Sequence, residues 1–192
     1  MTSFTLEIDE LAAVVGFLNA KKLVGMDEKL FAAFTEDNVP NLIAKLKQHG
    51  WMVPADRPDT WHIHPDLMQT MAVAVAPNFA ILARSIARQK STVFYLYKED
   101  IVEIIVTAEH AVVVKIADMD VLVSQVMKFL DGSFPAEIGV AKVNLDRLEA
   151  GRRAAVDAQG KMSTKTPGLL PGPEWKAENV ASFVRGAMAD LG

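Results

Sequence analysis

Residues 92–116 read TVFYLYKEDIVEIIVTAEHAVVVKI. The stretch divides into Thr92–Tyr97, Ile101–Thr107 and Ala111–Ile116, each dense in β-branched and aromatic residues. Such side chains crowd a helix but pack well on a pleated surface. Lys98-Glu99-Asp100 and Ala108-Glu109-His110 stand between the segments, as tight turns do. The stretch predicts an antiparallel meander. Its strands are apolar on much of both faces, so each face needs a cover, either helices or a second copy of the chain.

Helical covers flank the meander on both sides. Asp118 caps a predicted helix with Met119, Leu122, Val123, Val126, Met127 and Leu130 on one stripe, and Asp131-Gly132 ends it. Upstream, Asp66 starts a helix with Leu67, Met68, Met71, Ala72 and Val75 inward, and Pro77 stops it. Between that helix and the meander, Phe79–Ile86 is ambiguous. Phe79 and Ile81 alternate like a strand, whereas Ala83 and the Arg84/Arg88 pair suit a helix. The neighbouring strands favour a strand here too.

The first 65 residues have another texture. Phe4, Leu6 and Ile8 alternate as in a short strand, and Asp9 then caps a helix with Leu11, Val14, Val15 and Leu18 on one face. Asp27 caps a short helix carrying Leu30, Phe31 and Phe34. Thr35-Glu36-Asp37-Asn38 with Pro40 starts a third, with Val39, Leu42, Ile43 and Leu46 buried and Gly50 as its C-terminal cap. Trp51-Met52-Val53 and Trp61-His62-Ile63-His64 read as strands joined by a Pro- and Asp-rich loop. Three helices followed by two strands is the order of a winged-helix unit.

From Ser133 the strands give way to a predicted helical arm. Asn144 caps a helix over Leu145, Leu148, Ala155 and Val156, with Arg147, Arg152 and Arg153 outward. Gly160–Pro173, GKMSTKTPGLLPGP, reads as a linker or exposed loop. A last helix carries Val180, Phe183, Val184, Ala187, Met188 and Leu191 on one stripe. The sequence therefore predicts an α+β fold in three parts. A winged-helix-like subdomain spans 1–65, the meander with its helices 66–131, and a helical C-terminal arm with a Pro/Gly loop 132–192.

The chain of 192 residues has a net charge of -4 and no cysteine. Disulfides, thiolate nucleophiles and cysteine metal sites are thereby excluded. The acidic balance does not favour nucleic acid or anionic lipid through bulk charge. MTSFTLEIDE lacks the basic and long apolar regions of a signal peptide. The most apolar run, Ile101–Ile116, is broken by Glu103, Glu109, His110 and Lys115, so a cytoplasmic chain without membrane spans is expected.

No enzymatic constellation emerges. There is no G-x-S-x-G elbow and no phosphate-cradling glycine loop, and the serines stand singly. Neither a cofactor nor a metal is called for. His62-x-His64 would set two imidazoles on one strand face, with His110, Asp59 or Asp66 as a third ligand. Two exposed histidines opposite buried Trp61 and Ile63 explain the same pattern. A winged helix invites a nucleic-acid reading, with Asn41, Lys45, Gln48 and His49 on the third helix and Arg57 in the wing as the face. Lys47 adds one cation to that helix, but Glu36, Asp37, Asp56 and Asp59 dilute the positive field. Leu169-Leu170 within PGLLPGP is a candidate docking peptide, or a pair that tucks the loop against the body.

The succession DELAAVVGFL, VGMDEKLFAAFTEDNVPNLIAKLKQHGWMV, WHIHPDLMQTMAVAVAPN and STVFYLYKEDIVEIIVTAEHAVVVKIADMDVLVSQVMKFL resembles one half of the ESX (type VII) secretion-associated EspG family. The resemblance covers residues 4–131. It implies a chaperone that binds secreted helical proteins, in a fold whose second half repeats the strands of the first. The tail here offers helices and no second meander, so a homodimer pairing two sheets would restore the symmetry. The expectation is a non-catalytic, protein-binding adaptor or chaperone-like module that is homodimeric. The alternative is a winged-helix nucleic-acid-binding protein.

Overall fold

The computed structural model describes residues 2–57, 59–144, 147–164 and 174–192. In chain order the first elements are β1 (Ser3–Glu7), α1 (Ile8–Phe17), α2 (Val39–Gln48), β2 (Met52–Pro54), β3 (Trp61–Ile63) and α3 (Pro65–Val75). The meander follows as β4 (Phe79–Ser85), β5 (Lys90–Tyr97), β6 (Asp100–Val106) and β7 (His110–Ile116), then α4 (Met119–Leu130). The chain closes with β8 (Ala136–Asn144), β9 (Arg147–Val156), β10 (Met162–Thr164) and α5 (Ala177–Leu191). Phe79–Ser85 is thus a strand, and the meander and α4 form where the sequence predicts them.

One antiparallel sheet in the order β1-β7-β6-β5-β4-β8-β9-β10 collects strands from all three predicted spans. Alternation along β5 shows what it demands. Tyr95 is buried on one face, and Phe94 and Leu96 on the other. On the Tyr95 face, α1 and α3 cover β5, β6 and β7 with Leu11, Val14, Leu67 and Met71. On the Phe94 face, Leu122 and Val126 of α4 and Phe183 and Val184 of α5 cover β4, β8 and β9. The final helix docks on strands of its own chain.

Several local expectations change. Helix α1 is capped by Glu7 rather than Asp9, because the Glu10 carboxylate turns back to accept the Glu7 amide at 2.8 Å. The second helix of the expected winged unit is a single 3₁₀ turn, Glu28–Phe31, capped by Asp27. Its strand β1 leaves the unit to pair with β7, and only the β2–β3 hairpin remains beside α2. Gly50, at φ +77, ends α2 as predicted, and the Trp51 amide reaches back to the Leu46 carbonyl at 2.7 Å.

The largest correction is in the tail. Leu145 lies outside the described residues, and over Leu148, Ala155 and Val156 the expected helix does not form: β9 occupies Arg147–Val156, paired with β8. Ile138 and Val140 on β8 and Ala154 and Val156 on β9 fill one face at a period of two. Their burial under α5 outweighs the helical preference of an Ala- and Arg-rich segment. Within the expected linker, Met162 is buried and pairs with Val156. Leu169-Leu170 lies outside the described residues.

Tyr95 ties the connection after α1 to the sheet. Its hydroxyl donates to the Val24 carbonyl at 2.8 Å in a fully buried setting, and that burial pushes the phenol pKa up. Tyr95→Phe leaves the carbonyl without a donor. It is expected to cost about 1–2 kcal/mol, read from urea unfolding.

Candidate functional site

The helices cover the sheet diagonally and leave two quadrants open. The larger is the Tyr95 face of β4, β8, β9 and β10, beyond the reach of α1 and α3. Here lies an open cleft of about 1030 Å³, walled by Val24 and Gly25 of the connection that Tyr95 anchors. The strand register sets its floor. Ala80 stands opposite Ala141, Leu82 opposite Gly139, Gly139 opposite Arg153, Ala141 opposite Gly151, and Glu137 opposite Ala155. Small side chains on adjacent strands make a flat base, and Leu148 adds an exposed apolar group at 59%.

Gly139 has no internal reason to be glycine. A Cβ there would meet the Arg152 carbonyl oxygen and Arg153 Cγ at 3.8 Å, which is ordinary contact. A mid-strand glycine with room for a side chain marks a place kept clear for close approach. Gly151 differs, since its Cβ would come within 3.3 Å of the Val140 carbonyl oxygen.

The charges gather at one end. Arg84 stands opposite Glu137, and Arg153 lies on the next strand over. Arg152 points to the other side and pairs with Asp190 of α5. Glu149, nearer the other end of β9, accepts from the Asn144 amide at 2.7 Å.

The residues that sequence proposed for a nucleic-acid face sit elsewhere, on α2 and the β2–β3 loop. Lys45 bonds Asp9 at 2.7 Å and Glu7 at 2.6 Å. Burial works against the Lys45 ammonium, but Asp9 and Glu7 outweigh it and hold its pKa above the ordinary lysine value. His49 Nδ1 lies 2.6 Å from the Glu10 carboxylate, and the Asn41 amide bonds Asn38 at 3.4 Å. Gln48 and Arg57 are exposed. Lys47 stands 4.1 Å over the Trp61 ring, which is exposed at 39% rather than buried. His62 is exposed on β3, and His64 caps α3 just past the strand end. Among the described residues no group of three His, Asp or Glu is placed to share a metal ion.

The sequence does not mark the cleft, because of its floor strands only β4 has a legible strand pattern, while β9 carries a helical composition and β8 lies in the tail expected to be helical. The alternation of Ile138 and Val140 with Glu137, Gly139 and Ala141 is the signal that marks β8.

The architecture is α+β, with one eight-stranded antiparallel sheet and helices on both faces. A solved structure with the same fold is the Mycobacterium tuberculosis type VII secretion system chaperone EspG5 in complex with the PE25–PPE41 dimer. The likeness has a TM-score of 0.64 at 11% identity, and it spans 100% of this chain and 97% of that one. It therefore extends past residues 4–131 and through the tail. No protein-family model matches the sequence, and no curated protein does.

Gly139→Ala is expected to stabilise the fold by about 0.5–1 kcal/mol, because the strand gains a side chain without a clash. Gly151→Ala gains less, since its Cβ presses on the Val140 carbonyl. Thermal melts of the two variants give the comparison.

Proposed function

We propose that the chain is a non-catalytic, protein-binding module of the chaperone or adaptor kind, and that the cleft over β4, β8, β9 and β10 receives its partner. The observation that carries this reading is the flat Ala/Gly floor, with Gly139 kept small where the fold has room for more. A sheet face that bare is normally covered by a helix, as α5 covers the reverse side of β8 and β9. The partner is accordingly a helical protein that lays large apolar side chains on the floor. The EspG5 likeness supports the same direction, since that chaperone is seen holding a protein dimer.

The homodimer expected from the sequence was to supply a second set of strands. The chain supplies β8, β9 and β10 itself, so the proposal needs no second copy, which becomes an alternative occupant of the cleft. No observation favours the nucleic-acid reading, because Lys45 and His49 are engaged by Glu7, Asp9 and Glu10. No described helix is long and apolar enough to cross a membrane.

The test is capture from native extract on tagged protein, with and without nuclease, beside Gly139→Leu, which fills the floor. Retention of a helical protein that survives nuclease and disappears with Gly139→Leu is the expected result. Retention lost to nuclease, or unaffected by Gly139→Leu, overturns the proposal. Light scattering on the purified chain reports whether a second copy fills the cleft instead.

A further inference from the structure

The second open quadrant lies diagonally across the sheet, on the Phe94 face of β1, β7 and β6. Register places Thr5 opposite Val112 and Val112 opposite Ile105, with Ser3 opposite Val114 and Val114 opposite Glu103 in the next row. α4 runs from the end of β7 towards β4 and leaves the first row bare. Ile105 is exposed at 36%, and Val112 and Val114 are half-buried. The result is an aliphatic strip with hydroxyl residues of β1 along its edge.

Glu103 does not fit this strip as a structural residue. It occupies mid-β6 between Ile101 and Ile105 on the same face, beside Phe94 on β5, and is only 5% exposed. Thr92 donates to its Oε1 at 2.9 Å. Among the described residues Thr92 is its one hydrogen-bond donor and no ion pair engages it, while Oε2 is not among the buried atoms left without a partner and so keeps an opening to solvent. Burial pushes its carboxyl pKa up, and the Thr92 hydrogen bond offsets this only in part. A carboxylate so nearly buried, with one hydroxyl donor and no counter-ion, is costlier to desolvate than an aliphatic residue at the same place. An anion kept at such a place, beside apolar surface, is complementary to a cation brought in from outside.

We propose that this quadrant is a docking surface for a protein segment presenting one lysine or arginine between aliphatic side chains, with Glu103 as the anion that receives it. The aliphatic flanks cover Ile105, Val112 and Val114, and the cation reaches Oε2 beside them. The site lies on the opposite face from the cleft and does not depend on it.

The probe is n-hexylguanidinium, titrated against the whole protein and followed by methyl NMR at Ile105, Val112 and Val114, with hexanol and hexanoate as controls. Shifts confined to these methyls are expected, with hexylguanidinium binding at least about tenfold tighter than hexanol. Glu103→Gln keeps the Thr92 contact and is expected to erase that preference. Gly139→Leu, on the other face, leaves it intact. Equal affinity for the three probes, shifts spread over the surface, or an undiminished preference in Glu103→Gln each overturns the proposal. Thermal unfolding of Glu103→Leu adds a second reading: the melting temperature rises by about 2–4 °C if the carboxylate is kept for binding. A fall marks Glu103 as structural and counts against the docking role.

Discussion

The fold hangs on a sheet whose central strands are apolar on both faces. Phe94 and Tyr95 are adjacent in sequence, both are fully buried, and they point to opposite sides. Neither side can be left to water, so helices must lie above and below β5. The chain meets that demand economically. It places α1 and α3 over one half of one face and α4 and α5 over the other half of the reverse face. The centre, where the two coverings overlap, is sealed. The opposite corners are left bare, and their chemistry differs. One is a flat floor of Ala and Gly with arginines at one end, and the other is an aliphatic strip around a single carboxyl.

The N-terminal helices are held by a different kind of contact. Glu10 is almost wholly buried, yet its carboxylate both accepts the amide of the capping residue Glu7 and anchors His49 of α2. Lys45 spans Glu7 and Asp9 one turn away from it. These contacts tie the end of α2 to the start of α1, where hydrophobic packing alone leaves the relative angle loose. The same contacts take up Lys45 and His49, two of the basic groups that made α2 look like a recognition helix, and Lys47 lies over Trp61.

What the sequence disclosed follows the strength of its periodic signal. The meander and α4 are long, apolar and cleanly bounded, and they form as read. β9 is Arg147–Val156, a run in which alanine and arginine favour a helix, and its identity as a strand depends on β8 beside it and α5 above it. No local pattern contains that information. The cleft inherits the difficulty, because its floor is built by register between β4, β8 and β9. Glu103 was visible as a charge interrupting Ile101–Ile116, but its burial and its want of a counter-ion belong to the folded sheet. The expected burial of Trp61 failed for a local reason: Lys47 covers the ring from α2, and the indole needs no deeper cover.

The pairing of β1 with β7 carries a consequence for how the protein is made. Ser3 finds its partner at Val114, so β1 cannot be placed in the sheet until β7, far downstream of it, has also left the ribosome. Until then Phe4 and Leu6 have no sheet to enter, and the outer edge of β7 has no neighbour. Synthesis therefore delivers β1 before its neighbour, while assembly of the sheet waits for the hairpins β4 to β7 and closes backwards onto β1.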